Sequence, residues 1–174
     1  RKRETREWIT EADDCWSKLV TARTAQPSEP EVGLGVLAGQ YGLELALSEL
    51  TYWAHWVTPS QEKKRFDARF FIARLPGGQR ASCDGRETTE HRWMSPAVAL
   101  AEQVAGEIFL PPPTLRTLEE LLEYESIEAM LDAAGNRDVY PILPKIAADG
   151  DVLSILLPWD SDYPAADGEE LAGM

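Results

Sequence analysis

Apolar and polar residues alternate most cleanly between Arg65 and Leu75. There Phe66, Ala68, Phe70 and Ile72 fall on one side of an extended chain, and Asp67, Arg69, Phe71 and Ala73 on the other. A period of two marks a strand with one face turned to a core. Leu50–Val57, rich in aromatic residues and closed by Thr58-Pro59, predicts a strand before it. Pro76-Gly77-Gly78 predicts a turn and His91–Met94 a short strand. Tyr140–Ile146 and Val152–Leu157 flank Ala148-Asp149-Gly150-Asp151, an Asp-Gly signal that predicts a hairpin.

Other stretches carry helical signals. Residues 2–24 predict one or two helices with Trp8, Trp16, Leu19 and Val20 on the buried side, followed by a loop over 25–31 that contains Pro27 and Pro30. Leu34–Tyr41 predicts a helix stopped by Gly42. Ser95 is a predicted cap, with Pro96 opening a helix to about Ala105. A further helix is expected from Thr114 to Tyr124, after Pro111-Pro112-Pro113, and another from Ile127 to Ala134 between Ser126 and Gly135. Strands and helices mix without regular alternation. The fold class expected is therefore mixed α/β (α+β or α/β with a mixed sheet). The tail from Pro158 onward is acidic and expected to fray.

At 174 residues the chain suits one domain with a proper core. No run of 18 apolar residues occurs, which excludes a membrane-spanning helix. The start, Arg1-Lys2-Arg3-Glu4, has no apolar signal region and no initiator Met, so a cut or processed end of a longer protein is expected. Cys15 and Cys83 read as free thiols of a reducing compartment, which points to the cytoplasm. A net charge of −13 argues against nucleic acid and anionic membranes as partners. Yet residues 61–80 hold Lys63, Lys64, Arg65, Arg69, Arg74 and Arg80 against only Glu62 and Asp67. A cationic island in an acidic protein suits a small anionic ligand. Nothing in the sequence fixes the oligomeric state.

Candidate chemistry gathers at two places. Arg65, Asp67 and Arg69 stand about 7 Å apart on one strand face. They form either a solubilising ladder or a row in which Asp67 holds an arginine ready to fork onto phosphate. Glu87 and Glu90 lie in Gly85-Arg86-Glu87-Thr88-Thr89-Glu90-His91, as a plain surface loop or as carboxylates able to bind a metal or take a proton from water. His55, within Tyr52-Trp53-Ala54-His55-Trp56, reads as a satisfied structural histidine. The glycines Gly33, Gly35 and Gly39 lack the strand and spacing of a phosphate loop.

Several of these segments, in this order, resemble a branch of the Nudix hydrolases that includes the peroxisomal coenzyme A diphosphatases. They are Tyr52–Pro59, Arg65–Phe71, Glu87-Thr88-Thr89-Glu90 with Trp93 and Pro96, and Leu110–Thr114. Tyr140-Pro141-Ile142, Ala148-Asp149-Gly150 and Leu156–Asp160 are similar to that branch's C-terminal extension. The resemblance implies an α/β/α sandwich lacking its first strands, arranged as a helical lead-in (1–44), a core portion (45–124), an extension (125–163) and an acidic tail (164–174). It also implies Mg²⁺- or Mn²⁺-dependent cleavage of a diphosphate in a nucleotide-linked substrate, coenzyme A or an acyl derivative among the candidates. Glu90, then Glu87, would be the catalytic carboxylates, and Arg65, Asp67 and Arg69 would bind substrate. The metal ligands stay unassigned, because the family's box of glutamates is not intact. Arg3-Glu4-Thr5-Arg6-Glu7-Trp8 imitates its middle but carries Trp8 and Thr10 where Glu and Gly are required, so the true box is expected upstream of residue 1. A non-catalytic Nudix-like domain that binds a nucleotide or a protein is the competing expectation. A third is a structural fragment that cannot fold alone.

Overall fold

The computed structural model describes residues 1–24, 33–83, 89–149 and 152–164, and the chain divides into two compact units. The loop expected over 25–31, Glu87, the Gly150-Asp151 turn and the tail from 165 lie outside the described residues.

The first unit combines residues 1–50 with 73–94. It holds α1 (Trp16–Thr24), α2 (Leu34–Gln40) and a single 3₁₀ turn, Leu47–Glu49. Ile9, Ala38 and Leu43 form a small core, against which Trp16, Leu19 and Tyr41 pack. The expected helix over 2–24 begins only at Trp16. Asp13 explains the shortening, because its carboxylate accepts from the Thr10 amide at 2.8 Å and takes the Lys2 ammonium at 2.8 Å. Such side-chain bonds offer the backbone an alternative to helix. Trp8 and Val20, expected inside, are 36% and 45% exposed. The 76–79 turn forms, closed by Gln79 N–H to the Pro76 carbonyl at 3.2 Å, with Gly78 at φ 78°. His91–Met94 is not a strand: no described segment pairs with it, and Trp93 stands 72% exposed.

The second unit, residues 51–72 with 95–174, is built on a mixed sheet. β1 (Thr51–Val57) is central, β2 (Asp67–Ile72) pairs with it antiparallel, and β3 (Pro141–Ile142) pairs parallel on its other side. Mixed α/β is thus the observed class. The alternation in β2 is as expected, with Ala68, Phe70 and Ile72 half-buried and Asp67, Arg69 and Phe71 exposed. The register shifts between Tyr52 and Ala54, leaving Trp53 as an extra residue in β1. Trp53, Ala54, Trp56 and Ala134 make the core, with Phe70, Tyr124 and Ile142 packed against it.

Three helices follow β2. In α3 (Pro96–Ala105), Ser95 Oγ accepts from the Val98 amide at 3.3 Å and Gly106 ends the helix at φ 74°. α4 (Pro112–Leu121) packs with α3. α5 (Ile127–Gly135), capped by Ser126, packs against β1. The run expected as one strand from Tyr140 to Ile146 is divided. β3 is followed by β4 (Lys145–Asp149), which pairs in a separate two-stranded sheet with β5 (Val152–Leu156). Pro144 sits at the division, where its missing N–H interrupts a ladder at little cost. Among the described residues no helix is long and apolar enough to cross a membrane.

Candidate functional site

On β1 and β2 the pairing sets His55 directly opposite Arg69 and Val57 opposite Asp67. The Asp67 carboxylate lies diagonal to the imidazole, and Oδ1 reaches His55 Nε2 at 2.6 Å. Arg69 meets the same carboxylate, Nη1 at 3.2 Å from Oδ1 and Nη2 at 3.4 Å from Oδ2. Exposure grades along the row: His55 is 12% exposed at its side chain, Asp67 33% and Arg69 53%. Asp67 therefore anchors a half-buried histidine and restrains an arginine whose remaining N–H groups can face solvent. Two residues further along β2, Phe71 stacks with Tyr52, their centroids 5.2 Å apart.

Arg65 stands apart from this row. It precedes β2, and its Nε donates to the Thr58 carbonyl at 3.1 Å, tying the ends of the 58–66 loop together. Phe66 N–H to Thr58 Oγ1 at 2.9 Å reinforces the same closure. The expected triad of Arg65, Asp67 and Arg69 thus separates into a loop tie and an Asp–Arg pair. The histidine read as structural turns out to be the third member of the pair's cluster. No local signal reveals that, because it depends on the register that the loop imposes.

The inner side of the same sheet borders a cavity of about 360 Å³, whose lining includes Phe66, Phe70, Pro112, Pro113, Ile146 and Ile155, with Glu62 also present. The Lys64 ammonium lies 5.0 Å from the centre of the Phe66 ring. An apolar cavity with cationic and acidic groups close by can hold a hydrophobic group attached to a polar one.

Glu90 belongs to the first unit and is exposed, in a segment without regular structure. The strand expected at 91–94, which would fix the backbone beside Glu90, does not form. Arg3–Trp8, the imitation of a metal-binding helix, is a turn instead: Lys2 N–H bonds the Glu7 carbonyl at 2.9 Å, Arg6 N–H bonds the Lys2 carbonyl at 3.0 Å, and Arg6 adopts φ 63°. Glu7 is engaged by Thr5 Oγ1 at 3.0 Å. Among the described residues no three His, Cys, Asp or Glu side chains gather to hold a metal ion. The described residues thus offer no site for a divalent cation.

A human protein (Homo sapiens), acyl-coenzyme A diphosphatase NUDT19, is 29% identical over 116 residues, covering 64% of this chain and 31% of that protein. The chicken protein of the same name (Gallus gallus) is 28% identical over 123 residues, covering 66% and 32%. Over about two thirds of its length the chain is thus similar to Nudix acyl-coenzyme A diphosphatases. The match spans about a third of the length of these curated relatives. No family model matches the chain, and no solved structure does. As a class, Nudix hydrolases use divalent metals such as Mg²⁺.

Proposed function

We propose that the whole protein hydrolyses a diphosphate linkage in a nucleotide-linked substrate of the coenzyme A or acyl-coenzyme A kind. Water adds to one phosphorus, the bridging P–O bond breaks, and two phosphomonoesters leave. The observation that carries the reading is the Asp67-braced Arg69 on the exposed sheet face, within a chain related to acyl-coenzyme A diphosphatases. A guanidinium already restrained by a carboxylate loses little freedom on binding phosphate, so more of each charge-assisted bond survives as affinity. The apolar cavity on the opposite side of the sheet suits the acyl part of such a substrate. Glu90 and Glu87 are the proposed proton acceptors, on equal footing, and Arg65 contributes by holding the loop beside the row. Mg²⁺ or Mn²⁺ as cofactor, a cytoplasmic setting and one Nudix-like domain belong to the same reading.

The test is a kinetic comparison in the full-length protein, with an acyl-coenzyme A substrate and both phosphomonoester products followed by mass spectrometry. Arg69→Ala should lower kcat/KM by about tenfold to a hundredfold, equivalent to ~1.4–3 kcal/mol for a charge-assisted bond. At least one of Glu90→Gln and Glu87→Gln should lower kcat by about a hundredfold or more, with little change in Tm. If all three folded variants turn over like wild type, these residues lose their assigned roles; if wild type itself releases neither phosphomonoester, a nucleotide- or protein-binding domain without chemistry replaces the enzyme.

A further inference from the structure

His55 is the member of the cluster on β1 and β2 to which the diphosphate chemistry gives no task. It sits on the central strand, opposite Arg69 of β2 on one side and Pro141 of β3 on the other. Its chain neighbours Ala54 and Trp56 are buried in the core of the second unit, so the backbone that carries the imidazole is firmly held. The imidazole is 12% exposed, and Nε2 stands 2.6 Å from Asp67 Oδ1. A neutral ring with its proton on Nε2 and a protonated ring both donate there, so the bond does not depend on the charge of the histidine.

Without that bond the Asp67–Arg69 pair would be loosely placed. The two residues stand two apart on β2, at one end of the strand order, and an ion pair as open as theirs fixes little by itself. His55 pins Oδ1 from the side of the central strand. The carboxylate then takes the guanidinium end-on, Nη1 at 3.2 Å from Oδ1 and Nη2 at 3.4 Å from Oδ2. Of the five N–H groups of an arginine, an end-on pair uses one on each Nη. Nε–H and a second Nη N–H remain along one side, the spacing that forks onto two oxygens of a phosphate. Support thus passes from a buried strand through His55 and Asp67 to Arg69, each side chain more exposed than the one before.

We propose that His55 is a positioning residue for anion binding: acting through Asp67, it sets the direction of the Arg69 guanidinium before a diphosphate arrives. The imidazole touches Asp67 and not the anion. Its contribution is the freedom that Arg69 no longer has to lose on binding. This role rests on the diphosphatase reading for the identity of the anion, but binding alone, without turnover, tests it. A histidine that served only the packing of β1 would act on anion binding independently of Arg69, and any donor-free ring of similar shape would replace it.

The test is calorimetric titration of the full-length protein with inorganic diphosphate, each variant being checked for folding by its melting curve. His55→Phe keeps a ring and removes the donor, and should weaken diphosphate binding about threefold to tenfold, as the release of one restrained arginine does. His55→Gln can place an amide N–H near the position of Nε2, and should bind within about twofold of wild type. In an Arg69→Ala background, His55→Phe should weaken binding no further. His55→Asn, whose amide is too short to reach Asp67 Oδ1, should match His55→Phe and takes its place if the phenyl ring costs the fold. The proposal is overturned by wild-type affinity in the donor-free variants, by a loss in His55→Gln as large as theirs, by a further loss in the Arg69→Ala background, or by no diphosphate binding in wild type. The expected pattern in a protein that releases no phosphomonoester sustains the role of His55 and removes only the enzyme reading. Turnover that needs Arg69, with diphosphate binding indifferent to His55, removes only the positioning role.

Discussion

Glu120→Ala tests whether the arginine–tryptophan frame of the second unit is a coupled structure or a set of incidental contacts. Glu120 is 14% exposed and receives Arg116 and Arg137, which are 36% and 30% exposed. Exposed ion pairs contribute ~0–1 kcal/mol each, whereas removing one partner of a buried pair costs ~3–5 kcal/mol. These pairs lie between the two cases and nearer the first, so about 1 kcal/mol each is expected. If the freed arginines also leave the rings they lie over, Trp53 for Arg137 and Trp159 for Arg116, ~0.5–1 kcal/mol of cation–π attraction is lost at each. The sum is about 3–4 kcal/mol, or a Tm lowered by about 6–16 °C for a chain of this size. A competing effect must be separated. The protein carries a net charge of −13, so removing any glutamate relieves repulsion. Glu119→Gln is the control, because Glu119 is 47% exposed, sits on the same helix and reaches Arg116 only at 3.4 Å. It should stay within about 0.5 kcal/mol of wild type. Urea unfolding of Glu120→Ala, Arg137→Ala and the double variant should then give a coupling of about 1 kcal/mol. A Glu120→Ala Tm no lower than that of Glu119→Gln, or additive single losses, would refute the coupled frame.

Other consequences can be checked more briefly. Gly78→Ala should destabilise by about 1–2 kcal/mol in denaturant unfolding, since φ is 78° and the new Cβ would stand 2.9 Å from Thr10 Cγ2; Gly77→Ala, with open space around it, should not. Lys2 and the Thr10 amide hold the Asp13 carboxyl below its usual range, and Arg1 does the same for Glu44. A lowered folded pKa stabilises above the unfolded value, here ~3.9–4.3, and that stability disappears as pH falls through the folded values. Asp13→Asn should therefore flatten the decline in melting temperature below about pH 4, and an acid limb as steep as wild type would contradict this. Asp67→Ala should cost more than Arg69→Ala in thermal unfolding, because it strands a histidine only 12% exposed as well as an exposed arginine.

How far the sequence could be read depended on the range of the interactions involved. The helix from Pro96 was legible, because Ser95 and Pro96 settle its start through bonds spanning three to four positions, and its end was expected near Ala105, where Gly106 stops it. The two faces of β2 were legible for the same reason, and so was the Asp67–Arg69 pair, two residues apart. Residues 2–15 misled because polar spacing compatible with a helix carries no mark of Asp13 capturing Thr10 and Lys2. The run from Tyr140 to Ile146 misled because periodicity cannot assign its two halves to different sheets, although Pro144 gave a hint.

The candidate site was legible as composition and only partly as geometry. Which side chain meets Asp67 from across the sheet depends on the register of two strands joined by a nine-residue loop, and the extra residue at Trp53 shifts that register within β1 itself. His55 consequently looked like an isolated structural histidine, while its partner sat 12 residues away. The link from Glu120 to Arg137 spans 17 positions and crosses α5, beyond the reach of any spacing rule. Functional groups assembled in this way are most visible where an interaction is left incomplete. Arg69 points to an anion because Asp67 restrains it without enclosing it. By the same logic, Trp53 is a second incomplete interaction, its buried N–H having no acceptor among the described residues.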